Sequence, residues 1–224
     1  MTSSQKHPPR KHTAHNRALA AELKKTNLYL VGMMGAGKTT IGRKLANRLG
    51  YRFLDTDALI EQSTGKAVTA LFESEGEAAF REIETQVLSQ VTTHTSLVVA
   101  TGGGIVTQQM NWSYLHHGVV IWLDVPVPVI ASRLSGDSSR PLLQGVDLST
   151  KLTELLTARQ RQYAQADIRI GYEGRSMGKT CDRILTAIEN RLRTDSIADR
   201  EAAVSQIEIN QTSINPVISD AAPD

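Results

Sequence analysis

The segment YLVGMMGAGKTTIG, residues 29–42, decides the fold of this chain. Its spacing fits the phosphate-binding P-loop pattern G-x-x-x-x-G-K-[ST], with Gly32, Gly37, Lys38 and Thr39 at the fixed positions. Glycines let backbone N–H groups turn toward an anion, and the helix that follows directs its positive end at the same anion. In this pattern the lysine contacts the β- and γ-phosphates and the hydroxyl binds Mg²⁺. The segment therefore predicts nucleotide binding.

The residues on either side supply the context that the pattern requires. Residues 28–31 are an apolar run typical of a buried strand. Ile41, Leu45 and Leu49 then recur at helical spacing, and Gly50 ends the helix. A glycine turn in front of an ordinary helix is the alternative interpretation, but the order strand, loop, helix favours a P-loop.

Composition limits the class of protein. The chain has 224 residues, of which 40% are hydrophobic, enough for one domain with a sizeable core. No apolar stretch approaches the roughly 20 residues of a membrane span. The single cysteine, Cys181, excludes an intrachain disulfide, suits a reducing compartment and is expected to be buried. The net charge of +2 makes no case for nucleic acid and suits an anionic small substrate equally well.

The two ends of the chain carry opposite charge. Residues 1–26 hold six basic residues and one acidic residue, whereas residues 194–224 hold six acidic residues and one basic residue. Neither end shows a sustained apolar stripe, so we expect both to be disordered and the folded domain to span 27–193. The basic end lacks the apolar region of a secretory signal, and we expect a cytoplasmic protein, with an organellar transit peptide as the alternative.

Between the ends, short apolar runs alternate with helical patterns. Strands are predicted at 28–32, 51–54, 96–100, 118–123 and 167–170. Helices are predicted at 38–49, 57–63, 68–92, 127–135, 149–165 and 177–193, with a break at Gly76. This alternation predicts an α/β fold, a parallel sheet covered by helices on both faces. In such sheets the ligand lies beyond the carboxyl ends of the strands, so the residues that follow each strand are the candidate site.

Acidic residues follow the second strand, in the order Asp55-Thr56-Asp57. At a strand end, both carboxylates can point toward one cavity. One would hold Mg²⁺ through water, and the other would accept the proton of a hydroxyl group. The alternative is that Asp57 only caps the next helix.

Glycines follow the third strand, in Thr101-Gly102-Gly103-Gly104, and they let a ligand approach the main chain. A mobile turn is the alternative. Arg81, Arg140 and Arg159 carry planar forks that bind carboxylate or phosphate, although a single arginine is most often a solvated surface charge. Arg140 lies in a glycine- and serine-rich stretch of the kind that closes over a phosphoryl-transfer site.

Five blocks together resemble the shikimate kinase family over about residues 28–192. They are GMMGAGKTTIGRKLA, FLDTD, AF-R-E-I-E, TGGG and RPLL, in the family's order and spacing. The resemblance implies a three-layer P-loop NTPase fold of the nucleoside-monophosphate-kinase type, with strand order 2-3-1-4-5 and a mobile lid at about 133–147. It implies transfer of phosphate from ATP to the 3-hydroxyl of shikimate, giving shikimate 3-phosphate and ADP. That reaction is a step of chorismate and aromatic amino acid biosynthesis.

The same resemblance implies roles for individual residues. Those expected to bind ATP are Gly35, Ala36, Gly37, Lys38, Thr39, Thr40, Arg133 along the adenine, and Arg140 on the lid. Thr39 and Asp55 are expected to hold Mg²⁺, the latter through water. Those expected to bind shikimate are Asp57, Arg81, Gly102, Gly103, Gly104 and Arg159. Lys38, Asp57 and Arg140 are the expected catalytic residues. After the last strand the chain departs from the family pattern, so the assignment of Arg175 as a second adenine contact stays open.

Three other hypotheses remain. A related small-molecule kinase, such as a gluconate-type kinase, is disfavoured because two arginines and three glycines suit a ring that bears a carboxylate. A regulatory nucleotide-binding protein without activity is disfavoured because the catalytic residue types are all retained. Nucleic-acid binding by the basic end is disfavoured because that segment has no interleaved aromatic residues. We expect a monomer with no membrane or nucleic-acid partner.

Overall fold

Five parallel strands form the centre of the fold in a computed structural model, which describes residues 11–135 and 147–214. The strands are Leu28–Val31 (β1), Arg52–Asp55 (β2), Leu97–Ala100 (β3), Val119–Asp124 (β4) and Ile168–Gly171 (β5). Their order is β2-β3-β1-β4-β5, which confirms the predicted fold class and topology. Each strand lies within one residue of its predicted position at either end.

The described residues form eight α-helices and one 3₁₀ turn at Ile105–Thr107. The helices are Lys11–Glu22 (α1), Lys38–Leu49 (α2), Thr56–Thr64 (α3), Val68–Thr92 (α4), Gln109–Leu115 (α5), Val127–Leu134 (α6), Leu148–Tyr163 (α7) and Met177–Ile214 (α8). The chain moves toward one edge of the sheet from β1 to β2 and toward the other edge afterwards. Right-handed crossovers therefore place α2 on one face and α4, α5 and α6 on the other.

The strand register places the candidate residues side by side. Strands β1 and β3 are buried along their whole length, which explains their almost entirely apolar sequences. Leu30 of β1 and Asp55 of β2 both lie opposite Ala100 of β3. The P-loop, the acidic pair and the glycine-rich segment therefore leave the sheet side by side, at the carboxyl ends of the strands.

Helix α1 corrects the expectation that residues 1–26 are disordered, because it covers Lys11–Glu22. It packs on α2, and Leu19 and Leu23 are each only 2% exposed. The buried stripe consists of these two leucines and Asn16. Because this stripe is short and includes a polar residue, the sequence of the segment shows no amphipathic pattern that would predict a helix. Residues 1–10 lie outside the described part of the chain.

Two other helices differ from the prediction. The last helix was expected to end at 193, but α8 continues to Ile214. The chain contains neither glycine nor proline between Gly178 and Pro216, so no residue type ends the helix earlier. Helix α5 was not predicted, because it has only seven residues and its apolar positions are too few to show a period. The strands and the helices through Ile184 form one unit, and residues 185–224 form a second, helical as far as Ile214.

The predicted break in α4 and the predicted burial of Cys181 are confirmed. Gly76 interrupts α4 with φ 82° and ψ 171°, so the predicted break is present. Cys181 is buried and unpaired with any other cysteine. Among the residues that the structure describes, no helix has both the length and the apolar character needed to cross a membrane.

Candidate active site

The P-loop has the strained backbone that its glycines allow. Gly32, Gly35 and Gly37 adopt φ values of 137°, 74° and 97°, in a region that other residues rarely enter. Lys38 is buried, and its Nζ donates hydrogen bonds to the carbonyl oxygens of Gly32 at 2.8 Å and Met33 at 2.9 Å. The ammonium group therefore lies within the curve of the loop, at the start of α2.

The two predicted magnesium ligands lie in contact. The Thr39 hydroxyl donates to Asp55 Oδ2 at 2.7 Å. Asp55 Oδ1 accepts the backbone N–H of Asp57 at 3.2 Å, so Asp55 is the N-cap of α3. The alternative that Asp57 is only a helix cap is therefore wrong. Asp57 lies in the first turn of α3, and its side chain lines two adjacent cavities.

The oxygen atoms of Thr39 and Asp55 suit a hard cation such as Mg²⁺. The described residues contain no group of three or more His, Cys, Asp or Glu side chains that would hold a metal by themselves. Mg²⁺ in phosphoryl-transfer sites usually has one or two protein ligands and takes the others from phosphates and water. A hydroxyl and one carboxylate beside a P-loop fit that mode of binding.

Two cavities meet at the carboxyl ends of the strands. The larger, of about 310 Å³, is lined by the P-loop, Asp55, Thr101, Arg133 and Met177. The smaller, of about 60 Å³, is lined by the aromatic rings of Phe72 and Phe80 and by charged groups. Residues common to both cavities are Met34, Asp57 and Gly103. A carboxylate therefore lies at the boundary between a polar cavity beside the P-loop and a small, partly aromatic one.

Arg81 is held in place within the smaller cavity. It is only 6% exposed, and its guanidinium donates to Glu84 Oε2 and to Glu77 Oε1, both at 2.9 Å. The same group lies 5.4 Å from the ring centre of Phe80. A Cβ at Gly104 would collide with this guanidinium, so the glycine allows Arg81 to take this position. Arg81 is thus oriented before any ligand binds.

Glu84 was not singled out from the sequence, although it lies in the same segment three residues after Arg81. It is completely buried, and its Oε1 has no hydrogen-bond partner among the described residues. Burial raises the pKa of Glu84 to about 7, even though Arg81 acts to lower it. A Cβ at Gly102 would collide with Oε1 of Glu84 and approach Asp57 Oδ1. The spacing of Arg81 and Glu84 on one helical face was the available signal.

The glycine loop, residues 101–104, is held from two helices. The Gly103 carbonyl accepts hydrogen bonds from the Tyr163 hydroxyl at 2.6 Å and from Arg159 Nη1 at 3.4 Å, both on α7. The N–H of Gly102 donates to the Thr56 hydroxyl of α3 at 2.9 Å. Sequence reasoning found Arg159 but missed Tyr163 and Thr56, because their function depends on contacts with a distant segment.

Arg133 is exposed beside the larger cavity. Its Nη1 donates to the Gly35 carbonyl at 2.9 Å, and its guanidinium lies 5.6 Å from the ring centre of Tyr172. Arg175 forms an ion pair with Glu173 at 2.7 Å and lines a small neighbouring cavity that also includes Arg133. Arg140 and most of the expected lid, residues 136–146, lie outside the described part of the chain. The other predicted site residues lie together at the carboxyl ends of the strands.

Comparisons with known proteins agree with this geometry. The family model for shikimate kinase matches residues 34–189. The shikimate kinase of Thermosynechococcus vestitus is 56% identical over 163 residues, which is 72% of this chain and 89% of that protein. The shikimate kinase of Nostoc punctiforme is 52% identical over 176 residues, 78% of this chain and 97% of that protein. The structure of shikimate kinase from Acinetobacter baumannii in complex with shikimate superposes with TM-score 0.74 at 42% identity, covering 77% of this chain and 98% of that chain. This chain belongs to the shikimate kinase family.

Proposed function

We propose that this protein transfers the γ-phosphate of ATP to the 3-hydroxyl of shikimate, giving shikimate 3-phosphate and ADP. The observation that carries the proposal is the pair of adjacent cavities that share Asp57, one beside the P-loop and one beside Arg81. Membership of the family supports it, as does the related structure solved with shikimate. The reaction serves chorismate and aromatic amino acid biosynthesis.

On the nucleotide side, the larger cavity would hold the phosphates of ATP. The backbone of residues 35–40 surrounds them, and Lys38 neutralises charge on the β- and γ-phosphates. Thr39 and Asp55 would hold Mg²⁺, which when bound neutralises and aligns those phosphates. Arg133 lies beside this cavity, with its guanidinium bonded to the Gly35 carbonyl, and its role along the adenine rests on the family resemblance.

On the acceptor side, the smaller cavity would hold shikimate. Arg81 and Arg159 are both 6% exposed, and their planar forks suit the carboxylate of the substrate. The apolar ring faces would pack against Phe72 and Phe80, which line the same cavity. The glycines of the loop let Arg81 and Glu84 lie directly against its backbone, since a Cβ at Gly104 or Gly102 would collide with those side chains.

Asp57 would orient the attacking hydroxyl and accept its proton. The position supports this role, because Asp57 is the carboxylate common to the two cavities. Phosphoryl transfer depends mainly on positioning and on stabilising charge, so Lys38 and the lid residue Arg140 would act on the transferring phosphoryl group. The role of Arg140 rests on the family resemblance.

We also propose that the enzyme acts as a cytoplasmic monomer without a membrane or nucleic-acid partner. Every residue given a role above lies in one chain between Gly32 and Arg159, so the site needs no second copy. Size-exclusion chromatography with light scattering measures the oligomeric state, and a dimer at assay concentrations would contradict this proposal.

The decisive experiment measures ADP release from Mg·ATP with and without shikimate. We expect release only with shikimate, and ³¹P NMR should place the phosphate on the 3-hydroxyl. Lys38→Ala should lower turnover by several orders of magnitude, whereas Lys44→Ala, an exposed lysine on the same helix, should leave it unchanged. Turnover with gluconate in place of shikimate, or Lys38→Ala with normal activity, would contradict the proposal.

A further inference from the structure

Tyr163 is fixed in one orientation at the end of α7. It has no exposed surface, and its ring stacks on Trp122 of β4 with 5.8 Å between ring centres. Its hydroxyl donates to the Gly103 carbonyl at 2.6 Å, across 60 residues of sequence. The side chain of Tyr163 is therefore held both by packing on its ring and by a short hydrogen bond from its hydroxyl.

The hydroxyl satisfies a carbonyl that Arg159 also approaches. Arg159 lies one helical turn before Tyr163, and its Nη1 reaches the Gly103 carbonyl only at 3.4 Å. This second contact is longer than the roughly 2.7–3.2 Å usual for N–H···O hydrogen bonds and is therefore weak. Because Tyr163 already donates a hydrogen bond to this carbonyl, the N–H groups of Arg159 remain available for another acceptor.

The glycine loop links the two sides of the smaller cavity. Thr56, the neighbour of Asp57, holds the loop through the N–H of Gly102. Tyr163 holds the next residue, and it lies on the helix that carries Arg159. The loop therefore sets the separation between the carboxylate on α3 and the guanidinium on α7.

We propose that Tyr163 is a positioning residue for shikimate, which it helps to bind by fixing the glycine loop and leaving Arg159 available for the substrate carboxylate. The inference rests on the proposed function, since it assigns Arg159 to that carboxylate. It concerns a residue that touches the loop and the Arg159 side chain and acts on the substrate only through them.

The donor stays protonated under all ordinary assay conditions. Burial raises the pKa of Tyr163 to about 12, although the facing Arg159 and Arg81 act to lower it and the facing Glu84 acts to raise it. The effect of removing the hydroxyl should therefore be the same at pH 8 as at pH 9, two values that lie above the pKa of Glu84 at about 7 and well below that of Tyr163 at about 12.

The test compares Tyr163→Phe with Tyr29→Phe. Tyr29 is also fully buried, but its hydroxyl contacts Asn27 at the start of β1, away from the site. We expect Tyr163→Phe to raise the KM for shikimate about 2- to 13-fold, the range that loss of one hydrogen bond gives. The KM for ATP should stay constant, and Tyr29→Phe should change neither value. Equal changes in the two KM values, or none, would overturn the inference.

A readout without substrate separates this inference from the proposed function. Backbone hydrogen exchange at residues 101–107 should be faster in Tyr163→Phe than in the wild type or in Tyr29→Phe. Unchanged exchange in Tyr163→Phe overturns the inference even if shikimate is the substrate. A wild type that does not phosphorylate shikimate overturns the proposed function, whatever the exchange shows.

Discussion

At the residue scale, burial separates the arginines that sequence alone treats as equals. Arg159 and Arg161 lie two residues apart on α7, but Arg159 is 6% exposed and contacts the Gly103 carbonyl, whereas Arg161 is on the exposed face. A buried arginine must have partners to offset its lost hydration. The substrate carboxylate is the partner that the proposed function supplies.

Arg159→Ala is therefore expected to raise the KM for shikimate while leaving the KM for ATP constant. Loss of a hydrogen bond to a charged group costs roughly 1.5–3 kcal/mol, which corresponds to about a 10- to 150-fold change. Steady-state kinetics with each substrate varied in turn measure the two constants. Arg161→Ala is the matched control and should match the wild type. If both KM values rise together in Arg159→Ala, the residue does not act on shikimate alone.

Glu84 gives the protein a pH-dependent stability. Burial raises its pKa from 4.5 to about 7, so between these values the folded state keeps a proton that the unfolded state releases. The free energy of unfolding therefore falls as the pH rises through this window, by at most about 1.4 kcal/mol per pH unit from this group. The contribution is fully present below pH 4.5 and is lost once the pH exceeds about 7.

Glu84→Gln removes this dependence. Denaturant unfolding at pH 5, 6, 7 and 8 should show the wild type losing stability relative to Glu84→Gln up to about pH 7, with a constant difference above it. Glu77→Gln removes the other, half-exposed carboxylate that binds Arg81, and it should follow the wild-type profile. A difference between wild type and Glu84→Gln that is the same at pH 5 and pH 8 would contradict the assignment.

At the element scale, the break in α4 shapes the smaller cavity. Gly76 has φ 82° and ψ 171°, a combination that is essentially confined to glycine. Phe72 precedes the break and Phe80 follows it, and their ring centres are 4.5 Å apart. Both rings line the cavity that we assign to shikimate. The turn at Gly76 therefore brings together two aromatic walls that a straight helix would separate.

Gly76→Ala should lower the free energy of unfolding by roughly 1–3 kcal/mol, because alanine is strained in this conformation. It should also raise the KM for shikimate, since the two rings would move apart. Gly50→Ala is the control: Gly50 has φ 71° and ψ 25° at the C-cap of α2, where a side chain is strained but the site is not involved. Urea unfolding measures the free energy of unfolding of both variants, and steady-state kinetics measure their KM for shikimate. An effect on KM in Gly50→Ala of equal size would show that the change is not local to the cavity wall.

At the scale of the whole molecule, α1 adds a layer of packing outside the predicted domain. It covers α2, the helix that begins at the P-loop lysine, and it buries Leu19, while Leu23 is buried in the turn that follows it. No residue with a proposed role in the site lies within it. We therefore expect α1 to contribute to stability and to have no part in the chemistry.

A chain that begins at residue 27 should keep its kcat and melt at a lower temperature than the full chain. Within the full chain, Leu19→Ala should cost about 2–5 kcal/mol, the usual effect of removing a buried leucine side chain. Arg17→Ala, at an exposed position on the same helix, is the control. Shortening at 193 should leave kcat unchanged, since the proposed site ends at Arg159. A lower kcat in either shortened chain would show that an end of the protein acts on the site.

The sequence by itself determined the fold class, the topology implied by the family resemblance, and most of the residues that the structure brings together in the candidate site. These depend on short-range features: the spacing of glycines and Lys38 in the P-loop, and the alternation of strand and helix patterns. The break at Gly76 was also evident locally, because glycine weakens a helix wherever it occurs.

Only the tertiary structure decided which side chains cooperate and where the ends of the chain lie. Tyr163 contacts Gly103 across 60 residues, and no local pattern marks such a pair. The pKa of Glu84 depends on burial by segments remote in sequence, and the helical state of α1 depends on a surface of α2 that its own short stripe does not predict. Local spacing acts within one or two turns, whereas burial and hydrogen bonding between segments exist only once the chain has folded.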